Sequence, residues 1–107
     1  MRGPKTTLPD PDTLRKALTE VIDPEVGMNI VDLGLVYDIR SAGDCIEVDI
    51  TMTTPSCPMG SMIADRVREI VGAEAPAGTE VTVTLVWEPA WDASMMSEHA
   101  RKHFGWR

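Results

Sequence analysis

Few residues in this chain of 107 have side chains suited to covalent or metal chemistry, and Cys57 is the first to weigh. It lies in Thr53-Thr54-Pro55-Ser56-Cys57-Pro58. Pro58 suits the first position of a helix, which places Cys57 at the N-cap. A thiol there meets unsatisfied N–H groups and the positive end of the helix dipole. Both favour thiolate over thiol and lower the pKa. Thiolate is the form that attacks electrophiles and ligates soft metals. Pro55 and Pro58 stiffen the turn, and Thr51, Thr53 and Thr54 bring hydroxyls close by. The competing expectation is a buried, inert cysteine, the ordinary fate of a free thiol. A strand-to-helix turn, where functional residues concentrate, argues against that. The second cysteine, Cys45, falls on the polar parity of a strand beside a turn.

The other candidates are weaker. His99 and His103 are four apart, so on a helix they share a face and could bind a metal. No third ligand is evident, and a solvated pair is the plainer expectation. Glu98-His99 does not match zinc-protease spacing. Glycine-rich phosphate loops and a convincing Ser-His-Asp order are absent. Asp23, Glu25 and Asp32 form a loose acidic group, although loop carboxylates are usually solvated or capping. Met95-Met96 beside Trp91 reads as a hydrophobic docking patch rather than a copper site.

The elements that position these residues follow from pattern. Residues 1–9 are polar, with two prolines and no period, and read as a loose leader. Asp10-Pro11 starts a helix, Asp as cap and Pro at the first position. Leu14, Ala17, Leu18, Val21 and Ile22 then share one face until Pro24 stops the helix near Asp23. Residues 23–34 read as a long structured loop. Leu35, Tyr37 and Ile39 on one parity, the turn Ser41-Ala42-Gly43-Asp44, and then Ile46, Val48, Ile50 and Met52 make a β-hairpin with one buried face. The second helix carries the stripe Met59, Met62, Ile63, Val67, Ile70, Val71 and stops at Gly72. Val81, Val83, Leu85 and Trp87 alternate as a third strand. Residues 94–103 form a short last helix with Ser94 as cap. The order α-β-β-α-β-α predicts an α/β (α+β) domain over residues 10–107. Its core would be a three-stranded mixed sheet with helices packed on one face, and a right-handed β-α-β crossover.

Composition bounds the function. The length suits one domain with a modest core. Ten Lys and Arg against seventeen Asp and Glu give a net charge of −7. An acidic chain repels a phosphate backbone, which disfavours general nucleic-acid binding. Apolar runs are far short of a membrane span, and the basic start has no apolar core behind it to make a signal peptide. Two cysteines are too few for a disulfide scaffold or a complete four-cysteine metal site, so a reducing, cytoplasmic setting is expected.

The chain resembles the small iron–sulfur cluster assembly domain family, with its SufT-like and PaaD-like members. The matching segments are Asp23-Pro24-Glu25, then Asn29-Ile30-Val31-Asp32-Leu33-Gly34-Leu35-Val36, then Thr51-Met52-Thr53-Thr54-Pro55-Ser56-Cys57-Pro58. Trp91-Asp92 followed by Met96-Ser97-Glu98 and Ala100-Arg101 also match. The resemblance spans about residues 12–105, and the ordered combination is specific where any one segment alone is not. It implies a compact α/β domain serving the maturation of iron–sulfur proteins. It maps the family's motif cysteine onto Cys57 and the site-lining positions onto Asp23, Glu25, Thr53 and Thr54. Cys45 matches no family motif. PaaD-like members carry a cysteine-rich tail, which this sequence does not show before Arg107, so the SufT-like reading is favoured over phenylacetate degradation.

The expected role is therefore an accessory factor in cluster assembly or transfer rather than a turnover enzyme. Its partners would be the assembly machinery and client apoproteins. Clusters want about four thiolate ligands. Cys57 alone would hold an iron–sulfur cluster only transiently, as one ligand of a homodimer or of a complex with a partner or small thiol. Two other readings compete: a thiol enzyme with Cys57 as nucleophile, which lacks an evident His base, and a pure adaptor docking clients through Trp87–Trp91 and Met95–Met96.

Overall fold

The structure is a computed structural model that describes residues 8–24, 26–53 and 60–105. Asp10 caps the first helix, α1 (Pro11–Ala17), by accepting from Thr13 N at 2.8 Å, with Pro11 leading. Leu14 and Leu18 are wholly buried. The helix does not continue to Asp23 as its period suggests. It tightens into a 3₁₀ turn at Leu18–Glu20, and Val21 turns extended. Ile22–Asp23 (β1) then pairs antiparallel with Met28–Asn29 (β2). The β-branched pair Val21-Ile22 favours extended backbone, and Pro24 bars Asp23 from the helical region. The change of period sends Val21 inward and leaves Ile22 50% exposed.

The main sheet has the order β3-β4-β5, with β3 Val36–Ala42, β4 Cys45–Ile50 and β5 Glu80–Leu85. β3 and β4 form the expected hairpin, its loop reduced to Gly43-Asp44. Gly43 has φ +63° at the first loop position, where a type II′ turn needs glycine. The register slips between Val36, opposite Ile50, and Asp38, opposite Asp49. Tyr37 is the extra residue of this bulge. Leu35 and Ile39 are buried as their shared parity predicts, but the bulge leaves Tyr37 half-buried and turns Val36 inward in its place.

β5 runs parallel to β4, with Ile46 opposite Val81 and Ile50 opposite Leu85. The connection between them carries α2 (Gly60–Glu74). The inward residues Ile46, Val48 and Ile50 join Ile63, Val67 and Val71 of α2 and Leu14 and Leu18 in one core, and α1 and α2 also contact each other. Met62 leaves the predicted apolar stripe and is 49% exposed. α2 passes through Gly72 to Glu74, because Ala73 and Glu74 are good helix formers. It ends ahead of Pro76, which restricts Ala75. The outward sheet face carries Asp38, Glu47, Asp49 and Glu80 against a single cation, Arg40. Arg40 reaches Asp38 at 2.7 Å, Asp49 at 2.9 Å and Glu47 at 3.0 Å.

The C-terminal part differs from expectation in its caps. Asp92, not Ser94, caps a 3₁₀ turn at Ala93–Met95 by accepting from Ser94 N at 2.8 Å. The chain then extends at Met96, and α3 (Glu98–His103) begins under Ser97, whose hydroxyl accepts from Ala100 N at 3.1 Å. At the other end, Leu8 half-buries against the core and the Pro9 carbonyl accepts from the Ser41 hydroxyl at 3.1 Å. The last two residues of the predicted leader thus contact the domain. No helix is long and apolar enough to cross a membrane among the described residues.

Candidate functional site

The loop that carries Cys57 leaves the carboxyl end of the central strand and returns as α2. In sheets with parallel strands, the crevice outside those carboxyl ends is where ligands bind. Thr51 marks the exit: it is 1% exposed, and its N–H donates to the Leu35 carbonyl at 2.8 Å. Thr53 follows, half-buried. On the far side, Gly60 presses so close to the strand ends that a Cβ there would stand 3.5 Å from both Leu85 and Met52. Of the expected site residues, Thr54 and Cys57 lie outside the described residues, as does Glu25.

Asp23 is described, on β1 and 2% exposed. Its carbonyl closes the β1–β2 turn, accepting from Gly27 N at 2.7 Å and Val26 N at 3.2 Å. Its sequence neighbours Ile22 and Pro24 line a groove of about 380 Å³ together with Met62, Ile63 and Arg66 of α2. Glu20 and Val21 complete the wall. Segments forty residues apart, the Asp-Pro turn and the first turns of α2, thereby share one depression. Ile22 and Met62 are two of the three exposed large hydrophobics among the described residues. The third, Trp87, lies two residues beyond the carboxyl end of β5 and is 41% exposed. Periodicity hid Ile22 and Met62, since both fall on faces that a regular helix would bury.

Other motif residues prove to be stitches. Asn29 and Asp32 are joined reciprocally: Asn29 Nδ2 donates to Asp32 Oδ2 at 2.7 Å, and Asp32 N donates to Asn29 Oδ1 at 2.8 Å. Ser97 adds its hydroxyl to Asp32 Oδ1 at 2.7 Å and its N–H to the Asp32 carbonyl at 2.8 Å. These bonds from Asn29 and Ser97 hold the Asp32 carboxyl below the usual carboxylate range, against partial burial, with a smaller contribution from His99. Asp32 therefore serves as a structural acceptor. Trp91 Nε1 donates to the Leu33 carbonyl at 2.8 Å, and Met96 is 4% exposed. The Trp91–Met96 segment covers the domain's own core, which removes Met96 from any docking patch and leaves Trp91 and Met95 half-buried.

Tyr37, unmarked in the sequence reading, donates its hydroxyl to the Pro89 carbonyl at 2.7 Å with the Met95 sulfur 3.3 Å away. Burial pushes its phenol up, a hydrogen bond with Thr51 opposes this, and Asp92 adds to the rise. It borders a broader cavity of about 620 Å³ with Gly34, Val36, Val86, Pro89 and Met95, which neither Asp23 nor Thr53 lines. Cys45 is half-exposed and not in a disulfide. Desolvation first, then Glu47, Glu80 and Asp44, push its thiol up, so it is a poor thiolate. His99 and His103 are exposed on α3, and His103 stacks edge-on with Phe104 at 4.9 Å. Among the described residues no three His, Cys, Asp or Glu side chains gather as a metal site.

Fold and motif order together define the class, and comparison agrees. Residues 11–85 match the profile of the iron–sulfur cluster assembly protein family. The chain belongs to that family. It is 45% identical over 87 residues to the Fe-S protein maturation auxiliary factor SufT of Staphylococcus aureus, covering 79% of this chain and 97% of the relative. It is 36% identical over 95 residues to the Fe-S protein maturation auxiliary factor YitW of Bacillus subtilis, covering 88% and 92%. The crystal structure of a domain of unknown function, DUF59, from Bacillus anthracis superposes with a TM-score of 0.81 at 36% identity, covering 90% of this chain and 92% of that one.

Proposed function

We propose that this domain is an accessory factor in the maturation of iron–sulfur proteins, with the Cys57 thiolate as its ligand to a cluster in transit. The supporting observation is convergence at one end of the sheet. Buried Thr51, Thr53 and Gly60 at the start of α2 bound the Cys57 segment in sequence, and the Asp23 turn shares a groove with α2. Cys57 precedes Gly60 by three residues, a covalent reach of at most about 11 Å, so its sulfur acts beside that helix start. Cys45, the alternative thiol, is held protonated by its acidic surroundings.

One thiolate is a quarter of the ligand set that a typical cluster takes. The Cys57 of a second protomer brings the set to two, which makes the loaded form a homodimer; small thiols or a partner chain complete it, and the cluster passes to thiolates of the client apoprotein on transfer. A cluster held by so few bonds from each chain exchanges readily, which suits a carrier and not a store. Asp23, Glu25, Thr53 and Thr54 are the site-lining positions, as the family resemblance implies. The free thiol needs a reducing compartment, the cytoplasm. Anaerobic reconstitution with iron and sulfide tests the reading. Wild type gains the visible absorbance of a cluster, and Cys57→Ala does not. Equal loading of both proteins overturns it.

A further inference from the structure

The groove between β1 and α2 carries three features that its proposed neighbour, the cluster site, does not require. Ile22 and Met62 present large apolar side chains to water, half-exposed, on its two walls. Such side chains are ordinary one at a time, but paired across a depression they mark a contact surface. Glu20 and Arg66 border the same groove with opposite charges. They do not pair with each other. Glu20 forms no ion pair among the described residues. Arg66 gives one nitrogen to Glu69 at 2.6 Å, which leaves the rest of its guanidinium fork unpaired among those residues.

Charge decides what fits. The chain carries −7 overall, so copies repel one another at most faces. The outward sheet face, with four carboxylates around Arg40, could not meet its own image. The groove's described lining holds one acid, Glu20, and one base, Arg66, which Glu69 also contacts, on opposite walls. A two-fold axis through it would bring Glu20 of each copy to Arg66 of the other while Ile22 and Met62 pack between them. Self-complementarity of this kind is what a two-fold interface requires. We infer that the Glu20–Ile22–Met62–Arg66 groove is the surface on which a second copy of this chain docks, face to face. This rests on the proposal that two protomers share a cluster, and it deepens it. Two large side chains per copy fall well short of the roughly 800 Å² per partner of a standard interface, so the apo dimer is weak and loading strengthens it.

Sedimentation equilibrium of the full chain, apo and loaded with iron and sulfide, tests this. Met62→Glu and Ile22→Glu alter exposed positions and should keep the wild-type circular dichroism while abolishing the dimer in both states. Glu20→Arg or Arg66→Glu alone should weaken dimerisation about tenfold by placing like charges opposite. The double exchange Glu20→Arg with Arg66→Glu should restore it. Cys57→Ala should lose cluster absorbance yet keep the weak apo dimer, which separates the docking surface from the ligand. A wild-type protein that stays monomeric in both states overturns the inference, whatever its absorbance. So does a dimer indifferent to Met62→Glu, or a double exchange no better than either single one.

Discussion

Replacing Gly34 by alanine should cost this domain far more stability than the same change at Gly43, although both glycines adopt left-handed backbone. Their φ values are +81° and +63°. A Cβ in that region costs roughly 1–2 kcal/mol at either site. At Gly43 nothing lies within 4 Å of the added atom, so the strain is the whole effect. At Gly34 the new Cβ would collide with the Met95 carbonyl oxygen and stand 2.7 Å from its carbon and 3.0 Å from its Cβ. These are backbone atoms with no rotamer to escape into. The Met95 segment must move, and it lies between the Trp91–Leu33 bond and the two Ser97–Asp32 bonds. Loss of two of these adds about 2 kcal/mol, for a total near 3–4 kcal/mol against about 1–2 at Gly43. At about 4–8 °C per kcal/mol for a domain of this size, Gly34→Ala should melt roughly 15 °C or more below wild type and Gly43→Ala roughly 5–10 °C below. Thermal denaturation followed by circular dichroism measures both. Equal drops at the two positions, or a Gly34→Ala protein within a few degrees of wild type, would refute the claim that Met95 is packed onto Gly34.

Three further outcomes follow from named contacts. Asp32 is held below its ordinary value of 3.8 by Asn29 and Ser97, so its stabilising contribution is complete above that value and is lost as pH falls through the lowered one. The stability gap between wild type and Asp32→Asn should stay level near neutrality and close only in acid below the ordinary carboxylate range; a gap that widens in acid contradicts it. Cys57 should be alkylated faster than Cys45 at neutral pH, since acidic neighbours keep the Cys45 thiol protonated; peptide mapping that finds Cys45 labelled first reverses the assignment. Deleting residues 1–9 should lower the melting temperature relative to deleting 1–7, because Leu8 packs on the core and Pro9 accepts from Ser41; identical melting of the two truncations argues against a role for either residue.

Much of the fold was legible because burial writes itself as period. The alternation Ile46, Val48, Ile50 and the stripe Ile63, Val67, Val71 are the core. What escaped was wherever a local effect interrupts the period. The bulge at Tyr37 flips parity without any glycine or proline to announce it. Val21 and Ile22 continue a helical spacing by accident, while their branched side chains and Pro24 impose a strand. Ser94 and Ser97 are both fair caps by type, and only the extended backbone at Met96 selects the second. At the site, sequence order drew attention to the Asp23 turn and to the segment before α2. It could not show that Ile22 and Met62 would stand exposed on one groove, because exposure depends on how β1 meets α2.

The motif residues divide by what they touch. Asn29, Asp32, Gly34, Trp91 and Ser97 spend their hydrogen bonds and close approaches on one another, joining the turn before β3 to the segment before α3. None of these contacts reaches the carboxyl ends of β4 and β5. The Asp23 turn has the opposite character: it shares an open groove with α2, and two side chains on that groove, Ile22 and Met62, are apolar groups left in water, whose burial against a partner is worth roughly 25 cal/mol per Å². Their retention beside a loop with a single soft ligand is the expected design for a protein that must meet another polypeptide before its chemistry is complete. Substituting the stitches should therefore lower melting temperature and cluster loading together, whereas polar substitution at Ile22 or Met62 should leave melting unchanged and lower association, with the loading that depends on it, a separation that paired melting and sedimentation measurements resolve.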